Sequence, residues 1–89
     1  MSVYVDQARH RFGRMIMCHM VADTLPELHE MADKIGINRK WFQNKKLPHY
    51  DICLSKKELA IQNGAEVIGI HKMAEIIEQW KSVKSPINN

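Results

Sequence analysis

His49 and Asp51 are separated only by Tyr50. On extended backbone the two side chains share one face. An imidazole beside a carboxylate holds one tautomer and is suited to acid–base work, although the same pair also serves as a plain structural hydrogen bond. His49 and Asp51 are therefore the candidate catalytic groups. Just downstream, Ser55-Lys56-Lys57-Glu58 reads as a capping box opening a helix. Two lysines in a first helical turn oppose the helix dipole by about 0.3–1 kcal/mol each. A phosphate or carboxylate bound there would remove the conflict, since backbone N–H groups and both lysines would face it. Screening by water and salt is the other account.

Trp41, Phe42 and Tyr50 lie near Lys45 and Lys46, a grouping that suits bases stacked beside a basic loop. With six aromatic side chains in the whole chain, at least one of Trp41 and Phe42 is needed for the core. Cys18, His19 and Asp23 raise the question of a metal, with His10 and His29 as further donors. No C-x-x-C or H-x-x-x-H pair is present, and structural zinc sites usually show such spacings. No metal and no cofactor is expected. Cys18 sits among methionines, which argues for a buried thiol rather than a nucleophile.

These residues need elements to hold them. Ser2–Val5 reads as a strand and 7–13 as a polar loop. Met15–Val21 is an apolar run of strand length, suited to burial on both faces. Thr24-Leu25-Pro26-Glu27 is a capping box with proline in the first turn. Leu28, Met31, Ala32 and Ile35 follow at helical spacing, and Gly36 ends the helix. Residues 40–43 read as a short strand, 44–49 as a loop, and 50–54 as a further strand or extended segment. The Ser55 helix ends at Gly64. A strand follows over 67–70. Met73, Ile76, Ile77, Trp80 and Val83 mark a last amphipathic helix.

Strands alternating with helices predict an α/β fold: a small, partly parallel sheet of about four to five strands with three helices packed on it. Residues 2–84 form one domain and 85–89 a flexible tail. Ligands of open α/β sheets bind outside the carboxyl ends of the strands. The candidate ligand-binding set is Asp6, Arg14, Asp23, Gln43, His49, Tyr50, Asp51, Ser55, Lys56 and Lys57. Strand directions decide which of them meet.

Eighty-nine residues make a thin core, because a chain this short buries only roughly 60–65% of its unfolded surface. That favours a homo-oligomer, with Ile77 and Trp80 as interface residues. A net charge of +3 permits an anionic partner without requiring one. No segment nears the roughly 18 apolar residues of a membrane span. The opening residues carry no signal-peptide pattern. With two cysteines, Cys18 and Cys53, both in apolar stretches, a cytoplasmic protein is expected.

Several stretches together resemble one known family. They are Ser-Val-Tyr-Val-Asp at 2–6, Gly-Arg-Met-Ile-Met-Cys-His-Met-Val-Ala-Asp-Thr at 13–24, and Glu-Leu-His-Glu-Met-Ala at 27–32. Arg-Lys-Trp-Phe-Gln at 39–43, His-Tyr-Asp-Ile-Cys-Leu-Ser-Lys-Lys at 49–57 and Gly-Ala at 64–65 complete the set. The chain resembles the domain of unknown function family 4031, short proteins of bacteria and phage, over about residues 2–70. The resemblance implies a short intracellular α/β protein and no particular reaction.

The leading expectation is a protein that binds a small anionic ligand, a nucleotide or other phosphate-bearing metabolite. In a phage the use would be sequestering a nucleotide signal. A hydrolase or nuclease is the alternative, with His49 as acid–base group and Asp6, Asp23 or Asp51 as its orienter or as metal ligands. Nucleic-acid binding through Arg9, Arg11, Arg14, Lys45 and Lys46 comes third.

Overall fold

A computed structural model describes residues 2–84, with side chains through Ser82. The tail expected over 85–89 and the side chain of Val83 lie outside the described residues. Strands β1 (Val3–Val5), β2 (His10–Phe12) and β3 (Met15–Ala22) come first, then helix α1 (Leu25–Lys34). A short 3₁₀ turn (Arg39–Trp41), strand β4 (Tyr50–Cys53), helix α2 (Leu54–Gln62), strand β5 (Glu66–Val67) and helix α3 (Ile70–Lys84) follow.

The eight-residue β3 organises the sheet. It pairs antiparallel with β1 and β2 along one edge and with β4 along the other. β5 joins the far side of β1 in parallel. The fold is thus α/β with a mixed five-stranded sheet and three helices.

Period-two alternation sorts the strand residues onto two faces. Val3, Val5, Cys18, Met20, Ala22, Tyr50 and Ile52 form one face and bury Leu28, Met31, Ala32 and Ile35 of the α1 region and Ala60 of α2. Tyr4 and Val21 lie on the other face, where Ile76 and Trp80 of α3 cover them together with Ile68. The helix α3 covers only that end of its face. Farther along, where Asp6, Met17, His19 and Asp51 stand, β3 is half-buried rather than enclosed on both sides.

Several sequence expectations change. The polar loop over 7–13 contains β2, closed onto β3 by the two-residue turn Gly13-Arg14. Gly13 has φ +63° and Arg14 a negative φ, the pattern of a hairpin turn with glycine first. The strand expected at 40–43 is the 3₁₀ turn. Asn38 Oδ1 accepts the Lys40 N–H at 2.9 Å, and this local cap competes with strand pairing. Only Gln43 retains an isolated bridge, to His49.

The capping box at Ser55 is not used. β4 runs directly into α2, so Cys53 is the cap residue and Ser55 already lies in the first turn. The box at Thr24 forms in altered shape. Its hydroxyl accepts the Glu27 N–H at 3.4 Å and donates to the Glu27 carboxylate at 2.8 Å. Trp80 is not an interface residue: it is 8% exposed, and its Nε1–H donates to the Ala22 carbonyl at 3.0 Å. The sheet needs this side chain as cover.

Candidate functional site

On the face that α3 leaves open, strand pairing sets three polar side chains in a row. His19 is the cross-strand partner of Asp51, and the Asp6 N–H donates to the His19 carbonyl at 3.0 Å. The row therefore runs Asp6, His19, Asp51 across β1, β3 and β4. His10 pairs with Met17, two residues along β3 from His19, and so shares the face. Its ring centroid lies 5.1 Å from that of His19. His49, two residues before Asp51, brings a third ring, 5.3 Å from His19 and edge-on to it.

A bulge explains Asp6. Between the pairs Val5–Met20 and His10–Met17, four residues of one strand face two of the other. The ladder is interrupted, and the Asp6 side chain fills in. Its Oδ1 accepts the N–H groups of His19 at 2.9 Å and Ala8 at 3.2 Å. Its Oδ2 takes the Nδ1–H of His19 at 2.7 Å.

That bond decides the tautomer. A carboxylate only accepts, so the His19 proton sits on Nδ1 and the Nε2 lone pair points away. Nε2 faces Asp51 Oδ1 at 3.7 Å. His49 repeats the arrangement: Nδ1–H donates to the Leu47 carbonyl at 2.8 Å, and Nε2 faces the same Asp51 Oδ1 at 3.5 Å. The other oxygen of Asp51 accepts the Gln43 side-chain amide at 2.6 Å. Oδ1 itself is buried and has no hydrogen-bond partner. His10, His19 and Asp51 each present a donor atom, and the three lie within 4.8 Å of one another. Among the described residues, these three could hold a metal ion.

A groove of about 590 Å³ opens beside this row. His10, Gln43, Asp51 and Lys56 supply its polar wall, and Phe12, Met15, Met17 and Trp41 much of its apolar wall. Phe12 is 65% exposed and Trp41 60%. The sequence residues 7–22 and 34–50, which build most of this groove, hold eight of the thirteen Lys and Arg and none of the ten Asp and Glu.

Of the residues singled out from sequence, Asp6, Gln43, His49 and Asp51 come together here. Lys56 reaches the groove, but its ammonium donates to the Ile35 carbonyl at 2.8 Å. A cation at the end of α1 is favoured by that helix's dipole, so Lys56 is accounted for without an anion, whereas Lys57 makes no such contact. Tyr50 points to the opposite face, buried, with its hydroxyl 2.7 Å from His29 Nδ1. Asp23 ends β3, which runs against β1, and so sits at the far edge of the sheet. It accepts the Ser2 N–H at 3.0 Å and the Tyr4 hydroxyl at 3.1 Å. Arg14 is exposed in the hairpin turn. Ser55 bonds the Cys53 thiol at 3.2 Å, and Lys57 is half-buried near Cys18. Burial pushes the Cys18 thiol up to about 11, which removes it as a nucleophile. Phe42 packs on the core beside His29 and Tyr50.

Residues 3–80 match the model of the family described as Protein of unknown function (DUF4031). The chain belongs to the DUF4031 family. The match extends past residue 70 through Trp80, so the helix α3 that covers the sheet is part of the DUF4031 unit. No curated protein and no solved structure was found to match the chain. The case for a function in this DUF4031 protein therefore rests on the groove and the row of residues beside it.

Proposed function

We propose that this protein binds a nucleobase-bearing phosphate compound in the groove and hydrolyses a phosphate ester there. One observation carries the reading. The only two exposed aromatic side chains among the described residues, Phe12 and Trp41, line the same groove as the histidine–aspartate row. Exposed aromatics are platforms for bases, and the eight Lys and Arg of the segments 7–22 and 34–50 favour a phosphate over the single carboxylate, Asp51, in the groove wall.

His49 is the acid–base group in this scheme. Its Nδ1–H is tied to a carbonyl, which leaves Nε2 to take the proton of an attacking water. The water oxygen bonds to phosphorus and the ester P–O bond breaks. The proton held on Nε2 then passes to the leaving oxygen. Asp51 stabilises the protonated ring from 3.5 Å.

The test uses tryptophan fluorescence, because Trp41 is exposed while Trp80 is buried. Mononucleotides and short single-stranded oligonucleotides are titrated, and phosphate release from each is measured. Saturable quenching that disappears in Trp41→Phe locates the ligand at Trp41, and turnover lost in His49→Ala supports the chemistry. Binding without turnover would reduce the proposal to ligand capture. No saturable binding with any of these compounds would end it.

A further inference from the structure

We propose that His10, His19 and Asp51 bind one divalent first-row transition ion, with Asp6 as the residue that orients His19. This goes beyond the hydrolytic reading: the ion's binding does not require that reading to hold.

The argument starts at Asp51 Oδ1, buried and without a hydrogen-bond partner. A buried carboxylate oxygen left unpaired is costly, and each such atom calls for an explanation. Here two imidazole lone pairs point at it. The Asp6 carboxylate holds the proton of His19 on Nδ1, and the Leu47 carbonyl holds that of His49 on its own Nδ1. Three acceptors converge with no donor between them. A donor or a positive charge between them resolves this: protons added to the rings, a bridging water, or a bound cation.

The distances argue against protonated rings bonded directly to the carboxylate. A charge-assisted N–H···O bond spans roughly 2.7–2.9 Å. The observed separations are 3.7 Å from His19 and 3.5 Å from His49. Two ligands at tetrahedral angles on an ion about 2.0–2.1 Å from each lie about 3.4 Å apart. The His19–Asp51 separation, between two of the proposed ligands, is nearer to that of ligands around an ion than to an imidazolium on a carboxylate. His10 completes a set of two imidazoles and one carboxylate oxygen, all within 4.8 Å. Small side-chain rotations close such a set onto one centre.

The surroundings agree. A metal-bound histidine usually donates its other N–H to a carboxylate or carbonyl, and His19 does so to Asp6 at 2.7 Å. Three protein ligands leave positions for water or substrate, as in catalytic rather than structural sites. Those positions face the groove, since His10 and Asp51 line it. Imidazole donors favour zinc, cobalt or iron over magnesium and calcium, which take oxygen.

The test uses untagged full-length protein, stripped with chelator and dialysed. It is titrated calorimetrically with Zn²⁺ and with Co²⁺, the latter followed by visible absorption. One ion per chain, a visible Co²⁺ band and a melting temperature raised by several degrees are expected, with no shift from Mg²⁺ at equal concentration. Asp51→Asn and His10→Gln should each weaken Zn²⁺ binding about a hundredfold or more with the far-UV circular dichroism unchanged. His10 lies on a short, half-exposed strand, so that variant keeps the test valid if Asp51→Asn fails to fold. His71→Gln, an exposed histidine on α3, should leave binding as it was. Absence of one-to-one uptake, or uptake undiminished in both His10→Gln and Asp51→Asn, overturns the proposal. Uptake without phosphate release supports the ion and sinks hydrolysis alone. Phosphate release that persists in chelator with no uptake sinks the ion alone.

Discussion

The Asp6 carboxylate holds His19 twice, through the ring at 2.7 Å and through the backbone N–H at 2.9 Å. One side chain thus repairs an interrupted strand ladder and sets the tautomer of the imidazole at the centre of the row. Asp6→Asn tests both roles at once. An amide keeps the size but loses the charge, and has one acceptor where the carboxylate has two. Hydrogen bonds to charged groups contribute about 1.5–3 kcal/mol each, so a stability loss of about 1–3 kcal/mol is expected in urea unfolding. Orienting carboxylates typically alter metal affinity about 10–100-fold, and a Zn²⁺ affinity weakened within that range is the second readout. A merely structural Asp6 would lower stability and leave the affinity alone.

Trp41 separates binding from folding. It is 60% exposed on a turn, so Trp41→Ala should change stability by no more than about 0.5 kcal/mol. Base stacking on an aromatic ring contributes about 1–3 kcal/mol, which corresponds to roughly a 5–150-fold loss of nucleotide affinity. Calorimetric titration of the variant with the best-binding nucleotide checks it. An affinity equal to that of the parent protein would remove Trp41 from the site.

The sequence made some of this site legible, for reasons that particular residues show. His49 and Asp51 are two apart, and period-two alternation alone places them on one face. The same alternation places Tyr50 on the other face, away from that pair. His19 meets Asp51 only because β3 and β4 pair in one register. A slip of one residue would send His19 to the opposite face, and no local pattern states that register. His10 depended on recognising the hairpin, whose signal was the Gly13-Arg14 turn between Phe12 and Met15. Asp23 does not join the row because β3 runs antiparallel to β1, which puts its carboxyl end at the opposite edge of the sheet. α1 is legible from its capping box and α3 from 3.6-residue periodicity, both local signals, whereas the box read at Ser55 marks α2 but not its cap. Residues 39–41 form a 3₁₀ turn where apolar patterning predicts a strand, because Asn38 caps it with a side chain that such patterning ignores.

Trp80 ties α3 to the sheet. Removing such a buried ring costs about 3–5 kcal/mol, and for a chain of this length that approaches the whole stability. Trp80→Ala is expected to unfold the protein at ambient temperature. Trp80→Phe keeps most of the packing and deletes the N–H bonded to the Ala22 carbonyl. A loss of about 1–3 kcal/mol by urea titration is expected, because that carbonyl stays buried without its partner. A Trp80→Ala variant with full stability would mean that α3 does not cover the sheet.

The two cysteines should differ sharply toward an alkylating reagent. Burial raises the Cys18 thiol to about 11. The Cys53 thiol is lowered, chiefly by its hydrogen bond with Ser55, and it borders the groove. Iodoacetamide at pH 8, followed by mass spectrometry, should add one label to native protein, at Cys53, and two in denaturant. The Cys18 shift also sets a pH dependence of stability. A thiol that holds its proton more tightly when folded contributes fully below its ordinary value near 9. As the pH rises from about 9 to 11, the unfolded chain loses that proton first and stability falls. Two units correspond to about 2–3 kcal/mol at most. Burial raises the phenols of Tyr4 and Tyr50 as well, so they add a decline of the same sign at higher pH. Cys18→Ala should therefore start less stable, because of the cavity, but lose less between pH 9 and 11. Equal slopes for the two proteins across that window would mean that the Cys18 thiol is not held protonated by the fold.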